Sequence, residues 1–312
     1  DPTPTPGAPW LCLLDLPGRA DDDRLLAAVA GVPWQAMDLF AGPDADSLTA
    51  RARVERPATA GVLMSDLGAG PVWRWDRANT VEVRLEGRAP ESQGPMSVLS
   101  GVNRLAVQAS DGAWEIIQFT TATLVAEGHW RLKGLLRGRA GTEAQAALGA
   151  EAGAVVVVLD DHLEPVDQTE AERGLPLMFR AAPASGPPGG TSMAEMTGRW
   201  QGVSRRPWAP VGLRARWVDG GNREIRWIRR ARVGGDGWDL EPPLAEEREL
   251  YRVEILADGD VVATYECDQP VLVWTAAMQA VALDGIDPDQ VSVRVAQRSA
   301  VWGWGAATQR LI

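Results

Sequence analysis

The sequence has few of the residues that announce a chemistry. Its two cysteines, Cys12 and Cys267, stand far apart in apolar settings. That fits two buried thiols better than a disulfide scaffold, which would use more of them. His129 and His162 are the only histidines in 312 residues, too few for zinc sites of the Cys/His type. No apolar run approaches the roughly 20 residues of a membrane-spanning helix. Lys133 is the one lysine among 31 basic residues, and 42 acidic residues bring the formal net charge to −11. A protein held on nucleic acid by phosphate neutralisation is not built this way. Phenylalanine and tyrosine number three and two, whereas tryptophan numbers 14.

What is present reads as a mainly β protein. An apolar share of 45% can fill real cores, and the length suits two or three domains. The opening Asp1-Pro2-Thr3-Pro4-Thr5-Pro6-Gly7 reads as neither a signal peptide nor a presequence. Its Pro/Thr alternation favours an extended linker, so the chain is expected to be a C-terminal piece of a longer polypeptide. Trp10 to Leu16 is a short apolar run ended by Pro17-Gly18, as in a buried strand. Arg24 to Ala30, between Asp21–Asp23 and Gly31, predicts a short helix. Val81 to Leu85 alternates as a half-buried strand does. Asn103 to Ala109 and Trp114 to Phe119 flank a turn at Ser110-Asp111-Gly112. A second hairpin is expected around Glu127-Gly128, a brief Ala-rich helix within 143–152, and a strand over Ala154 to Leu159.

Ala181 to Gly198 is rich in Pro and Gly and predicts a linker. The expected organisation is therefore a β-rich part over 1–180, with an internal division near 50, a linker over 181–204, and a second domain over 205–312. That last part has the cadence of a fibronectin type III-like β-sandwich. Strands are predicted at Val211–Trp217, Arg223–Trp227, Tyr251–Leu256, Val261–Tyr265, Val271–Trp274 and Val291–Val295. Alternation puts Ile225 and Trp227 on one face, toward a core.

Motifs for catalysis are missing. There is no Gly-x-Ser-x-Gly elbow, His-Glu-x-x-His pair, phosphate-cradling Gly-Lys-Ser/Thr loop or dinucleotide fingerprint. Asp160, Asp161, His162 and Glu164 offer oxygens for a metal or a general base, but also read as a solvated loop after a strand. Asp44 and Asp46 resemble the first ligands of a calcium loop without its glycine and distal glutamate. No cofactor, metal or catalytic residue is expected. A glycoside hydrolase would need two facing carboxylates. Trp73 with Trp75, and Trp302 with Trp304, have the i, i+2 spacing that sets two indoles on one face of a strand. Exposed, such pairs stack on sugar rings; buried, they fill cores short of Phe and Tyr. Arg137 and Arg139, around Gly138, can bond a partner's carboxylates or close an intramolecular salt link.

Several strings in shared order carry a resemblance. They are Val54-Glu55-Arg56-Pro57, Gly61-Val62-Leu63, Gly70 to Asp76, Trp114 to Phe119, and Leu135-Leu136-Arg137-Gly138-Arg139-Ala140-Gly141-Thr142-Glu143. Trp227 to Arg230, Gly235 to Trp238 and Tyr251 to Ile255 follow. The chain resembles the C-terminal region of the tail-tip baseplate "megatron" (host-specificity) proteins of gene transfer agents and siphophage-like tails. The resemblance implies tail-hub-type β modules before the fibronectin-like part, and a structural role without catalysis. It implies assembly below the tail tube, channel closure, host attachment and a place in the particle tail after assembly in the bacterial cytoplasm. Implied partners are hub, distal-tail, fibre or spike proteins and further copies of the chain in a homo-oligomer. Cell-surface polysaccharide is the alternative partner, through exposed tryptophans. Stable nucleic-acid binding and a membrane span are not expected, since negative charge beside a DNA conduit prevents sticking.

Overall fold

The computed structural model describes residues 9–18, 22–185, 193–235, 242–287 and 290–312. The described residues divide into one compact unit, 9–16 with 22–203, and a second, 17–18 with 204–312. The first begins with β1 (Trp10–Leu14), β2 (Leu26–Ala30), β3 (Met37–Gly42) and β4 (Thr49–Val54). Next come β5 (Ala60–Leu63), β6 (Trp75–Asp76), β7 (Val81–Glu86), α1 (Pro95–Leu99), β8 (Arg104–Gln108), β9 (Trp114–Ala126), β10 (His129–Arg139), α2 (Glu143–Leu148) and β11 (Val155–Val158). It ends with β12 (Glu164–Pro165), β13 (Pro176–Pro183) and β14 (Ala194–Arg199).

Two small sheets, β1-β2-β12 and β14-β13-β3-β4, share one core. Leu11, Ala27 and Val29 meet Met37, Leu39, Phe179 and Trp200 there. The alternate residues Cys12, Leu14, Leu26 and Ala28 pack the other way, against Ala58, Ala60, Ala106 and Val157. Strands β1 and β2 are thus buried on both faces, which is why they read as unbroken apolar runs rather than alternating ones. The helix expected over Arg24 to Ala30 is a correction: Leu26–Ala30 pairs antiparallel with β1. Local Leu/Ala content favours helix, but burial of both faces between two layers decides for strand.

Strands β5 to β11 build an antiparallel barrel. The order β10-β7-β5-β11-β8-β9 closes because β9 also pairs with β10, and β6 extends the far end of β10. Val81, Val83 and Leu85 alternate inward from β7 to meet Leu105, Val107, Ile117, Phe119, Leu132 and Val156. Gly61 sits where β5 presses on β7: a Cβ there would lie 1.8 Å from the Arg84 carbonyl oxygen.

The chain leaves the sandwich after Val54, builds the barrel and returns at Glu164. A single cut near residue 50 therefore separates no subdomain. The linker expected over 181–204 is also corrected. Ala181–Pro183 completes β13, and Ala194–Arg199 forms β14 antiparallel to it. The Pro/Gly residues leave the flanks of the stretch free to pair, and β3 and the buried Phe179 and Ala181 recruit β13 into the core. Residues 186–192 of that stretch lie outside the described residues.

The second unit contains β15 (Val211–Val218), β16 (Asn222–Ile228), β17 (Tyr251–Ala257), β18 (Asp260–Cys267), β19 (Val271–Trp274), α3 (Ala276–Leu283), β20 (Val291–Ser299) and β21 (Gly303–Leu311). Its sheets are β15-β16-β19 and β18-β17-β20-β21. That order, three strands facing four, is that of a fibronectin type III-like sandwich. Ile225 and Trp227 enter its core as their spacing predicts. Trp227 meets Tyr251 edge-on, with centroids 5.1 Å apart, and the buried Trp274 Nε1–H donates to the Tyr265 hydroxyl at 3.2 Å. Among the described residues no helix is long and apolar enough to cross a membrane.

Gly61→Ala should lower stability by about 1–3 kcal/mol, because neither backbone can yield without breaking the ladder. Gly94→Ala, which meets open space, should stay within about 0.5 kcal/mol; urea midpoints compare the two. Both cysteines are free, and burial pushes the Cys12 thiol up to about 12. A thiol reagent near neutral pH should therefore modify Cys12 only when the protein is denatured.

Candidate interaction sites

The Leu135–Glu143 string makes a lock inside the barrel. Glu115 lies on the inward row of β9 with Ile117 and Phe119. Arg137 Nε donates to Glu115 Oε1 at 2.6 Å, and Arg137 Nη2 donates to Oε2 at 2.8 Å. Both side chains are sealed from solvent. Nη1 donates to the Gly68 carbonyl at 3.0 Å and stands 3.6 Å from Asp76 Oδ2. The Gly138 N–H donates to Glu115 Oε1 at 3.0 Å. Positive φ at Gly138, Ala140 and Gly141 turns the chain sharply here. Thr142 Oγ1 accepts the Ile116 N–H at 3.0 Å and donates to the Arg139 carbonyl at 2.7 Å, just before α2. Gly70 has no room for a side chain, since a Cβ would lie 2.5 Å from Arg137 Nη1.

Burial pushes the Asp76 carboxyl up. Hydrogen bonds from Asn79 and Ala78, together with the Arg137 charge, outweigh that and hold it below its ordinary 3.8. Arg137 is therefore not available to a partner's carboxylates, which corrects one of the two expected roles: it closes the intramolecular link instead. Arg139 is exposed and donates from Nε to Gln118 Oε1 at 2.9 Å.

The tryptophan pairs do not form platforms. Trp73 is 65% exposed with a φ of 65°, outside any strand, while Trp75 is half-buried in β6. Strand alternation therefore does not place them on one face. Trp302 lies in the turn before β21, and only Trp304 is in the strand. The Trp304 ring is flanked by the guanidinium carbons of Arg252 at 4.9 Å and Arg298 at 5.6 Å. The ring is engaged within the protein by cation–π contacts.

The acidic cluster after β11 ties a loop down. Arg56 Nη1 donates to Asp161 Oδ2 at 2.7 Å, and His162 Nδ1 is 2.8 Å from the Pro57 carbonyl oxygen. The Arg56 hydrogen bond holds the Asp161 carboxyl below its ordinary value. Asp44 Oδ1 accepts the Asp46 N–H at 3.1 Å, an Asx turn in the β3–β4 loop. Among the described residues no group of three or more His, Cys, Asp or Glu is placed to hold a metal.

One cluster emerges only from the register. On the outer face of β15-β16-β19, Arg214 pairs across with Arg226 and Arg216 with Glu224. Glu224 accepts from Arg216 at 2.7 Å and from Arg226 at 2.9 Å. The Arg226 and then the Arg216 hydrogen bonds lower its pKa to about 2. The alternation Arg214-Ala215-Arg216 signals an outward row, but which residues oppose it depends on a bulge between Val211 and Arg214.

Residues 58–157 match the family model described as "Rcc01698-like, C-terminal". The match begins just before β5 and ends inside β11, so it covers the barrel. No curated protein matches the chain. Among solved structures, domains A168–A170 of titin share 10% identity over 97% of this chain and 98% of that one, with a TM-score of 0.23. The FN1–FN3 domains of chicken CNTN1 share 10% over 98% and 97%, with a TM-score of 0.24. Both likenesses are shallow, and the fibronectin-like assignment rests on strand order.

Glu115→Gln should cost about 3 kcal/mol, because it removes the hydrogen-bonded counter-charge of a buried guanidinium and leaves only Asp76 at 3.6 Å. The Glu115→Leu/Arg137→Met double variant should lose much less than the two singles summed, as a double-mutant cycle in urea would show. Asp76 should stabilise the fold above its ordinary pKa of 3.8, with the contribution lost as pH falls through its depressed folded value. Asp76→Asn should therefore flatten the acid limb of the stability–pH curve.

Proposed function

We propose that the chain is a structural, non-catalytic part of a phage-like tail tip of the gene transfer agent type, from a megatron-like baseplate protein. The barrel-bearing unit builds the assembly below the tail tube and contributes to channel closure. The fibronectin-like unit makes contacts with neighbouring proteins or the host surface. The observation that carries this reading is a coincidence of boundaries. The family match over 58–157 spans one closed barrel. The same span holds Trp114 to Phe119 and Leu135 to Glu143, among the strings that resemble the megatron proteins. Hub, distal-tail, fibre or spike proteins and further copies of the chain are the partners this role requires. The net charge of −11 suits a wall along a DNA passage, because like charge keeps the transiting polymer from sticking.

An antibody against the chain should label the distal end of tails in negative-stain electron micrographs, and label elsewhere or none would overturn the reading. The purified chain should leave a DNA duplex unshifted in low-salt gels; tight retention there would remove the charge argument.

A further inference from the structure

The outer face of β15-β16-β19 carries more positive charge than its fold uses. Arg214 and Arg226 are direct cross-strand partners, and like charges so placed destabilise a sheet unless an anion lies between them. The one carboxylate on the row, Glu224, is taken by Arg216 and Arg226. Arg214 is exposed. Together these side chains line a concavity of about 490 Å³. Its fringe is apolar: Ile228 is 61% exposed and Val273 47%. Protein interfaces have the reverse anatomy, an apolar centre inside a polar rim.

We propose that this face binds a carboxylate-bearing polysaccharide, the guanidinium fork of Arg214 taking a sugar carboxylate beside Arg226, whose own fork Glu224 engages and contests. Guanidinium and carboxylate match in planar, two-pronged geometry. An open face along strands admits a chain that runs past it, as a polymer needs. A polymer as densely charged as DNA is opposed by the remainder of a molecule with net charge −11, whereas a uronate polymer carries its charges farther apart. This deepens the attachment role proposed above and rests on that reading for its biological setting.

The test measures affinity of the full chain for polygalacturonate at low ionic strength, where exposed charges are least screened. Neutral dextran and a short DNA duplex serve as comparisons. Polygalacturonate should bind, more weakly as salt rises, while dextran and the duplex should not. Arg214→Gln, at an exposed position, should weaken binding about tenfold. Glu224→Gln should strengthen it several-fold by removing the competing carboxylate. No binding, equal binding to the duplex, or an Arg214→Gln variant that binds as the parent does would each overturn the proposal. Antibody labelling of the tail tip is independent of all three outcomes, so failure here is distinguishable from failure of the structural role.

Discussion

Burying a guanidinium is unfavourable by several kcal/mol unless a counter-charge and further acceptors meet it, and in this barrel that requirement organises a whole end of the fold. Glu115 reaches Arg137 from the neighbouring strand, Gly68 offers a carbonyl from the loop before β6, and Asp76 adds a second negative charge. Each partner belongs to a different segment, so the pair can be satisfied only when β9, β10 and the 64–76 loop are all in place. The surrounding small residues follow from the same constraint. Gly70 must be bare to admit Nη1, and Gly138 must turn with positive φ while its N–H serves Glu115. A motif that looks like an exposed basic turn is an internal fastening.

The layers of the first unit follow from a similar economy of faces. Strands β1 and β2 serve two cores at once, with Leu11, Ala27 and Val29 on one side and Cys12, Leu14, Leu26 and Ala28 on the other. The barrel is thus an insertion into the sandwich whose outer wall completes a second core. The second unit keeps its interior apolar and aromatic, with Trp227 and Trp274 inside. Charged groups such as Glu224 and Arg226 lie on the outer face of its first sheet, while Arg223, buried, continues the inward row of Ile225 and Trp227 and stacks over Trp217. This division is compatible with the role proposed above, in which the inserted barrel gives rigidity and the fibronectin-like surfaces meet other molecules.

Much of the fold is legible in the sequence because many strands are local events. Val81 to Leu85, the two hairpin segments around Asp111 and six strands of the fibronectin-like part declare themselves by alternation and turn residues. The failures share a cause, which is that long-range partners decide. Leu26 to Ala30 has helical composition yet pairs with β1. The Pro/Gly stretch after Ala181 connects two strands because β3 recruits β13. Strand β21 has Gly, Ala and Gln at most of its positions, with Thr308 its one β-branched residue, and its place is set by β20. At the sites, a string of nine letters could not say whether Arg137 points inward, because that depends on Glu115, 22 positions earlier. The arginine face on β15 and β16 was hidden likewise, since opposition across strands is a matter of register.

The Arg137–Glu115 pair ties β9 to β10 from within the barrel and should open only when the unit unfolds. Native-state hydrogen exchange at the Gly138 amide, which donates to Glu115, reads this directly. Exchange of that amide should occur only through global unfolding, with the denaturant dependence of the barrel core amides around Ile117 and Val156. Rapid exchange of Gly138 at a rate independent of denaturant, alongside loop amides such as those at Asp111, would contradict it.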